Sequence, residues 1–157
     1  MKNLIKVALY QPDIAANVGA ILRLGACFKV PIDIIEPCGF PFDMRLIRRV
    51  ALDYVDHVEI TRYTSWDDFI CSPRISENKV VLLSTQGTVQ YNKLDFGKND
   101  ILLLGRESAG VTPEVWAAVD VSVHVPISSE MRSLNVASAC GIVLGEALRQ
   151  TDLFPEG

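Results

Sequence analysis

The sequence lacks the features that mark membrane and secreted proteins. Its longest apolar runs, such as VVLL and ILLL, are far shorter than the roughly 20 residues that a transmembrane helix needs. The amino-terminal stretch MKNLIKVALYQPD reaches polar and acidic residues before the apolar core of a signal peptide could form. We therefore expect a cytoplasmic protein with no membrane segment.

Patterns that bind metals or nucleotides are also missing. The few cysteines and histidines are scattered, with no C-x-x-C pair: Cys27, Cys38, Cys71, Cys140, His57 and His124. Structural zinc sites need paired ligands at short spacing, so we expect no metal. No G-x-G-x-x-G follows the first predicted strand, so the sequence shows no dinucleotide fingerprint.

A glycine-bracketed loop is present, but it departs from the phosphate-binding pattern. In the stretch ILLLGRESAGVTP (101–113), Gly105 and Gly110 have the spacing of a phosphate-binding loop. That loop would continue with Lys and then Ser or Thr, which hold the outer phosphates and Mg²⁺. Val111 and Thr112 stand there instead, so the loop must serve another ligand.

The formal net charge of −4 does not indicate a nucleic-acid-binding protein. Local charge is different, because MRLIRR places Arg45, Arg48 and Arg49 at i, i+3 and i+4, on one face if the segment is helical. Charge alone is compatible with a polyanion-binding patch and equally with a solvated arginine face.

Short β-rich runs alternate with amphipathic stretches along the whole chain. We predict six strands, in the segments IKVALY, IDIIE, HVEI, KVVLLST, DILLLG and VSVHVP. Helices are predicted at about 17–28 and 44–50, in SWDDFICS and TPEVWAAV, and in the final segment SLNVASACGIVLGEALRQ. The alternation predicts an α/β fold, a single domain over 1–157 with a mostly parallel sheet flanked by helices.

Ligands of open α/β sheets bind beyond the carboxyl ends of the strands. Three polar loops occupy such positions: LSTQGT, GRESAGVTP and VPISSEMRSLN. The third is long and rich in serine, with Arg132 and Asn135 at the entrance to the final helix. These loops are the predicted site.

Three segments, in order, resemble the motifs of the SPOUT superfamily of RNA methyltransferases: NVGAILR, LLLGRESAGV and PISSEMRSLNVASACGIVLGEALRQ. Two further stretches, VALYQPDIAANVGAILRLGA and IIEPCGF…RLIRRVALDY, are similar to the small bacterial branch that methylates the ribose 2′-hydroxyl of the tRNA wobble nucleotide. The resemblance covers nearly the whole chain. It implies a deep C-terminal trefoil knot, which the sequence pattern itself does not indicate.

The resemblance implies S-adenosylmethionine (AdoMet) as cofactor, held mainly by backbone groups. Gly105 and Gly110 permit tight turns and close approach of the backbone to a ligand. Glu107 either favours the dipole of the next helix or balances the sulfonium charge. The cofactor-binding residues that the resemblance implies are Leu83, Gly105, Glu107, Gly110, Val125, Ile127, Ser133 and Leu134.

Arg23, Asn17 and Asn135 are the catalytic candidates that the resemblance implies. A guanidinium with a pKa above roughly 12 rarely gives up its proton, so we expect Arg23 to bind a phosphate or the developing alkoxide. Asn17 is expected near this arginine, although capping of a helix would also explain it. Capping would likewise explain Asn135, together with Ser133.

The tRNA anticodon stem-loop is the implied substrate, and a homodimer is the implied assembly. Arg23 of one subunit would then serve the site of its partner. The residues expected to contact RNA are Arg45, Arg48, Arg49 and Arg132.

Three alternatives stay open. One is an RNA-binding protein of the same fold that has lost methyl transfer. Another is a 2′-O-methyltransferase that acts on ribosomal RNA or on another tRNA position. The third is a nucleotide-binding α/β domain with no RNA role.

Overall fold

The computed structural model describes residues 3–157, so the first two residues of the predicted domain lie outside it. Seven parallel strands form one sheet in the order β3-β2-β1-β6-β4-β7-β5. Their bounds are β1 Lys6–Tyr10, β2 Ile32–Ile35, β3 Ile60–Tyr63, β4 Val80–Leu83, β5 Val89–Gln90, β6 Ile101–Leu104 and β7 Val121–His124.

Six α-helices cover the two faces of the sheet. Their bounds are α1 Ala15–Phe28, α2 Met44–Ala51, α3 Trp66–Ile70, α4 Pro73–Ser76, α5 Pro113–Ala118 and α6 Val136–Thr151. Helices α1, α2 and α6 pack on one face, and α3, α4 and α5 pack on the other. Two 3-10 helices, Leu52–His57 and Tyr91–Lys93, complete the structure. The predicted α/β architecture is confirmed.

The central strands are buried on both faces, which explains why nearly all of their residues are apolar. Every residue of β1, β2 and β6 is buried. Lys6 of β1 and Asp33 of β2 are the charged residues among them, and they form an ion pair with a nitrogen-to-oxygen distance of 2.7 Å. Burial without a partner would cost each charge several kcal/mol (about 3–5), so the pair belongs to the core.

Two predictions about strands were wrong. The third strand was placed at HVEI, but His57 ends a 3-10 helix and β3 begins at Ile60. Helical geometry continues past α2 through Leu52–His57, which delays the strand. The predicted number of six strands was also wrong, because the described residues contain a seventh, β5. This strand has only two residues and shows no hydrophobic pattern of its own.

The helix starts follow ordinary capping chemistry. Ser65 and Thr112 accept hydrogen bonds from backbone N–H groups as N-caps of α3 and α5. Pro113 occupies the first turn of α5, where its missing N–H costs nothing. Helix α1 begins at Ala15, two residues earlier than expected, with Ile14 at its N-cap.

Within residues 3–157, no helix is long and apolar enough to cross a membrane. The same residues contain no group of three or more His, Cys, Asp or Glu side chains that could hold a metal ion. The trefoil knot stays a prediction.

Candidate active site

A cleft of about 680 Å³ opens at the carboxyl edge of the sheet, where β4, β6 and β7 end. Three loops form most of its wall: residues 84–86 after β4, the glycine loop (105–110) after β6, and the serine loop (125–135) after β7. Asn17 of α1 and several residues of α6 complete the lining. These are the three loops that the sequence singled out.

The glycine loop is closed on itself by its backbone. Arg106 and Gly110 exchange two backbone hydrogen bonds, each with an N-to-O distance of 2.9 Å. Gly110 has a φ of +61°, as its predicted tight turn requires. A Cβ on Gly105 would lie 2.8 Å from the Gly110 carbonyl carbon, so the two backbones meet without room for a side chain.

The cleft brings together all the residues that were expected to bind the cofactor. They come from loops that are distant in sequence: Leu83, Gly105, Glu107, Gly110, Val125, Ile127, Ser133 and Leu134. Arg132 lines the same cleft. Contact of these residues with a cofactor stays a prediction, since it is the cleft that the structure describes.

Asn135 links the serine loop to α1. Its side-chain oxygen accepts hydrogen bonds from the backbone N–H groups of Ala137 and Ser138, so it is the N-cap of α6. Its amide nitrogen donates to Asn17 Oδ1 over 2.9 Å. Asn17 itself lies in the first turn of α1 and is not a cap, which corrects that interpretation.

A pair of carboxyl groups joins the β1–α1 loop to the glycine loop, and sequence reasoning missed it. The Asp13 backbone N–H donates to Glu107 Oε2 over 2.9 Å, and the Ser108 hydroxyl donates to Asp13 Oδ2. Hydrogen bonds with Glu107 and Ser108 lower the pKa of Asp13. Burial, and next the hydrogen bond with Asp13, raise the pKa of Glu107. Asp13 also follows a strand's carboxyl end, which was the signal available to find it.

Arg23 lies outside the cleft. It is exposed on α1, with its guanidinium carbon 4.4 Å from the centre of the Tyr54 ring. It lies six positions after Asn17, which corresponds to about 9 Å along the helix axis. The structure therefore brings Asn17 and Asn135 together but leaves Arg23 apart from them.

The predicted RNA-contacting arginines of α2 form an exposed face, opposite the buried Ile47. Arg48 makes a bidentate ion pair with Asp56 at nitrogen-to-oxygen distances of 2.8 and 2.9 Å. Within residues 3–157, Arg45 and Arg49 have no ion pair. Two of the three cations are therefore available to another molecule.

The cleft suits a ligand that is read mainly by backbone groups. The glycine loop presents peptide groups at a point where any side chain on Gly105 would be excluded. Aliphatic side chains from β4, β6 and β7 supply apolar contacts, and Glu107 places a carboxyl group beside them. Such a lining fits a cofactor with an adenine ring and a sulfonium cation.

The SpoU rRNA Methylase family model matches residues 4–145, most of the chain. The chain belongs to the SpoU rRNA methylase family. Its relatives include the tRNA (cytidine(34)-2'-O)-methyltransferase of Beijerinckia indica, 49% identical over 144 residues that cover 92% of this chain and 90% of the relative.

Solved structures of methyltransferases agree with this family assignment. A structure described as giving insight into 2-OH methylation of C/U34 on tRNA superposes with a TM-score of 0.87 at 34% identity, covering 94% of this chain and 95% of the other. An AdoMet-bound rRNA methyltransferase from Sinorhizobium meliloti superposes with a TM-score of 0.83 at 28% identity, covering 95% of this chain and 57% of that chain.

Proposed function

We propose that this SpoU-family protein is an AdoMet-dependent methyltransferase of the ribose 2′-oxygen at the wobble nucleotide of tRNA, nucleotide 34. The observation that carries the proposal is the convergence of the three motif loops on one glycine-lined cleft. The 49% identity to the Beijerinckia indica relative supports the choice of substrate. A tRNA substrate would place the reaction in the cytoplasm.

AdoMet, when bound, supplies a methyl group already activated by its sulfonium. The chain's own task is to hold the cofactor and to align the ribose oxygen, so positioning dominates the catalysis. Backbone groups of the glycine loop, with Leu83, Val125 and Ile127, would hold the cofactor against the ends of the strands. The hydrogen bond between Asn17 and Asn135 would hold the serine loop at a fixed position relative to α1, on either side of the cleft.

Arg23 would stabilise negative charge on the substrate. A guanidinium stays protonated at working pH, so its part is to donate hydrogen bonds to a phosphate or to the developing alkoxide. Because Arg23 does not line the cleft of its own chain, its position supports a homodimer in which each Arg23 serves the partner's site. Small residues of α6, including Gly141 and Gly145, would allow close approach of the two subunits.

The anticodon stem-loop would be bound by exposed cations around the cleft. Arg132 lines the cleft itself, and Arg45 and Arg49 are exposed on α2. Contacts with phosphates would make the affinity for tRNA fall with increasing salt.

The proposal is tested by methyl transfer from labelled AdoMet to total tRNA that lacks ribose methylation, followed by nucleoside mapping. We expect label on the 2′-oxygen of nucleotide 34 and its loss in Arg23→Ala. Arg74→Ala, an exposed arginine on α4 across the sheet, is the matched control and should keep the activity. Label at another tRNA position or on ribosomal RNA would overturn the substrate assignment, and AdoMet binding without transfer would favour a binding protein.

A mixing experiment tests the shared site. Arg23→Ala and Gly105→Ala dimers are each expected to be inactive. After the two proteins are unfolded and refolded together, mixed dimers would contain one site with an intact glycine loop and an intact partner Arg23. Recovery of up to about a quarter of wild-type activity is therefore expected if half of the dimers are mixed, whereas no recovery would place Arg23 in its own subunit's site.

A further inference from the structure

Two segments that are distant in sequence meet at Asp13. This residue lies in the loop between β1 and α1, and Glu107 and Ser108 lie in the glycine loop after β6. The Asp13 backbone N–H donates a hydrogen bond to Glu107 Oε2 over 2.9 Å, and the Ser108 hydroxyl donates one to Asp13 Oδ2. Glu107 lines the cleft, whereas Asp13 and Ser108 stand behind it.

One oxygen of this cluster lacks a donor. Oδ1 of Asp13 is buried, and with both carboxyl groups ionised no described residue donates a hydrogen bond to it. A buried carboxylate oxygen without a partner is costly. A proton on the neighbouring Glu107 carboxyl would supply the missing donor, and the two groups are within hydrogen-bond reach.

We propose that Asp13 is a positioning residue for the glycine loop: its carboxylate accepts hydrogen bonds from Glu107 and Ser108 and so holds residues 105–110 in the shape that binds AdoMet. The inference rests on the proposed function. Asp13 acts through Glu107 and the loop backbone and does not itself line the cleft.

The contact also fixes where α1 starts. Asp13 is followed by Ile14, the N-cap residue of α1, and Asn17 in the first turn binds Asn135 of the serine loop. The start of α1 is therefore tied to two of the loops that build the cleft. Gly39 packs directly against Asp13 and has no room for a side chain, because a Cβ at position 39 would lie 2.5 Å from the Asp13 Cβ.

The arrangement has a consequence for pH. Within the pair, the pKa of Glu107 is raised and that of Asp13 is lowered, so one proton is shared over the range between them. The stabilisation from Glu107 is present below its ordinary pKa and is lost as pH rises through the raised value. The contribution of Asp13 to the stability of the folded protein is present above its ordinary pKa and is lost as pH falls through the lowered value. Above the higher pKa two carboxylates repel each other, and the binding-competent fraction of the loop falls.

Other titratable groups surround the pair. Cys38 faces it from the loop after β2, and burial raises the pKa of this thiol to about 11. Arg106 is directed away, since its Nε donates to the Gly110 carbonyl and its guanidinium lies over Tyr10. Glu36 is neutralised by Arg62 at a nitrogen-to-oxygen distance of 2.7 Å. The Cys38 thiol is therefore uncharged near neutral pH, and Arg62 and Arg106 have other partners.

The test measures the dissociation constant of labelled AdoMet by equilibrium dialysis from pH 4 to pH 9, with the full chain. Asp13→Asn keeps the size and shape of the side chain, and its amide nitrogen donates a hydrogen bond to Glu107 at every pH. The contact between the two side chains then no longer depends on the shared proton. We expect the ratio of the wild-type to the Asp13→Asn dissociation constant to rise about threefold or more over this range. The ratio cancels the titration of AdoMet itself and of all groups common to both proteins.

Two further variants complete the design. Asp13→Ala removes both acceptors and is expected to weaken AdoMet binding about tenfold at the acidic end of the range, where the wild-type pair shares its proton, while circular dichroism confirms that it is folded. Asp67→Asn, an exposed carboxylate on α3, is the matched control and should follow the wild type. A constant ratio for Asp13→Asn, or wild-type affinity in a folded Asp13→Ala, would overturn the inference and leave the proposed function standing. Absence of AdoMet binding by the wild type would overturn both.

Discussion

At the residue scale, the glycine loop depends on the missing side chain of Gly105. Its Cβ position lies 2.8 Å from the backbone of Gly110, whereas a Cβ on Gly110 would meet nothing within 4 Å. The two glycines are therefore needed for different reasons, one for space and the other for a φ of +61°.

Gly105→Ala should consequently abolish AdoMet binding, because the loop must open to relieve the clash. We expect at least about a hundredfold loss of affinity, equivalent to about 2.7 kcal/mol. Gly110→Asn is the matched variant, since asparagine tolerates the left-handed region and has room there, and it should lose less than about tenfold. Isothermal titration calorimetry measures both, and equal losses would contradict this distinction.

Asn135 has two separable roles, and paired variants divide them. Asn135→Ala removes the N-cap of α6 and the hydrogen bond to Asn17, so we expect a loss of about 1 kcal/mol in the free energy of unfolding. Asn17→Ala removes only the hydrogen bond between the two side chains, because Ile14 is the N-cap of α1. Urea denaturation should show the smaller effect for Asn17→Ala. Equal losses would mean that the cap adds nothing.

Some of these residue-level features could be predicted from the sequence, and others could not. Gly110 and the caps at Thr112 and Asn135 follow from local backbone needs, which short motifs encode. The Asp13–Glu107 contact joins residues 94 positions apart, and only the packing of β1 beside β6 brings them together. The position of Arg23 outside the cleft likewise depends on the rotation of α1 against the sheet.

At the element scale, α2 presents a basic face that is anchored to α1. Gly19 of α1 lies so close to α2 that a Cβ there would be 2.6 Å from the Val50 carbonyl oxygen. The arginines are thereby held at a defined place on the surface beside α1. The helix itself was predicted at about 44–50, but its contact with α1 could not be read from the sequence.

The arginines of α2 should differ in their effect on RNA binding. Arg45→Gln and Arg49→Gln each remove a cation without an ion pair among residues 3–157, and we expect each to lower the salt dependence of tRNA binding by about one counterion. Arg48→Gln removes a cation already paired with Asp56 and should change the salt dependence of tRNA binding less. Filter binding across a salt series measures the slopes. Identical slopes for all three variants and the wild type would exclude α2 from the interface.

Elements at the edges of the sheet were less predictable than those at its centre. The strands β4 and β6 are continuous apolar runs, and β1 is apolar apart from Lys6, because both faces are covered. The edge strand β5 has two residues, and β3 at the other edge is only partly buried, so neither carries a strong hydrophobic signal. Pairing with β2 and β7, and not local sequence, sets their bounds.

At the scale of the whole molecule, one buried ion pair couples stability to pH. Lys6 and Asp33 are almost completely buried between β1 and β2, and burial raises the pKa of Asp33 although Lys6 opposes this. Because the folded pKa is raised, the contribution of Asp33 to stability is present below its ordinary pKa and is lost as pH rises through the raised value.

Lys6→Met should therefore destabilise the protein by about 3–5 kcal/mol near neutral pH, since an unpaired carboxylate remains in the core. The deficit should shrink as pH falls towards 4, where Asp33 becomes protonated. The double variant Lys6→Met/Asp33→Leu should recover most of the stability. Urea unfolding at several pH values measures this, and a deficit independent of pH would contradict the assignment.

The central claim concerns a single oxygen atom of the substrate, the 2′-oxygen of nucleotide 34. The most direct measurement uses two synthetic anticodon stem-loops that differ only in where one 2′-deoxyribose stands, at nucleotide 34 or at nucleotide 32. Transfer of a deuterated methyl group from AdoMet is followed by mass spectrometry. The account predicts that the stem-loop with 2′-deoxyribose at nucleotide 32 is methylated and that the stem-loop with 2′-deoxyribose at nucleotide 34 is not. Methylation of both stem-loops, or only of the one with 2′-deoxyribose at nucleotide 34, would contradict it.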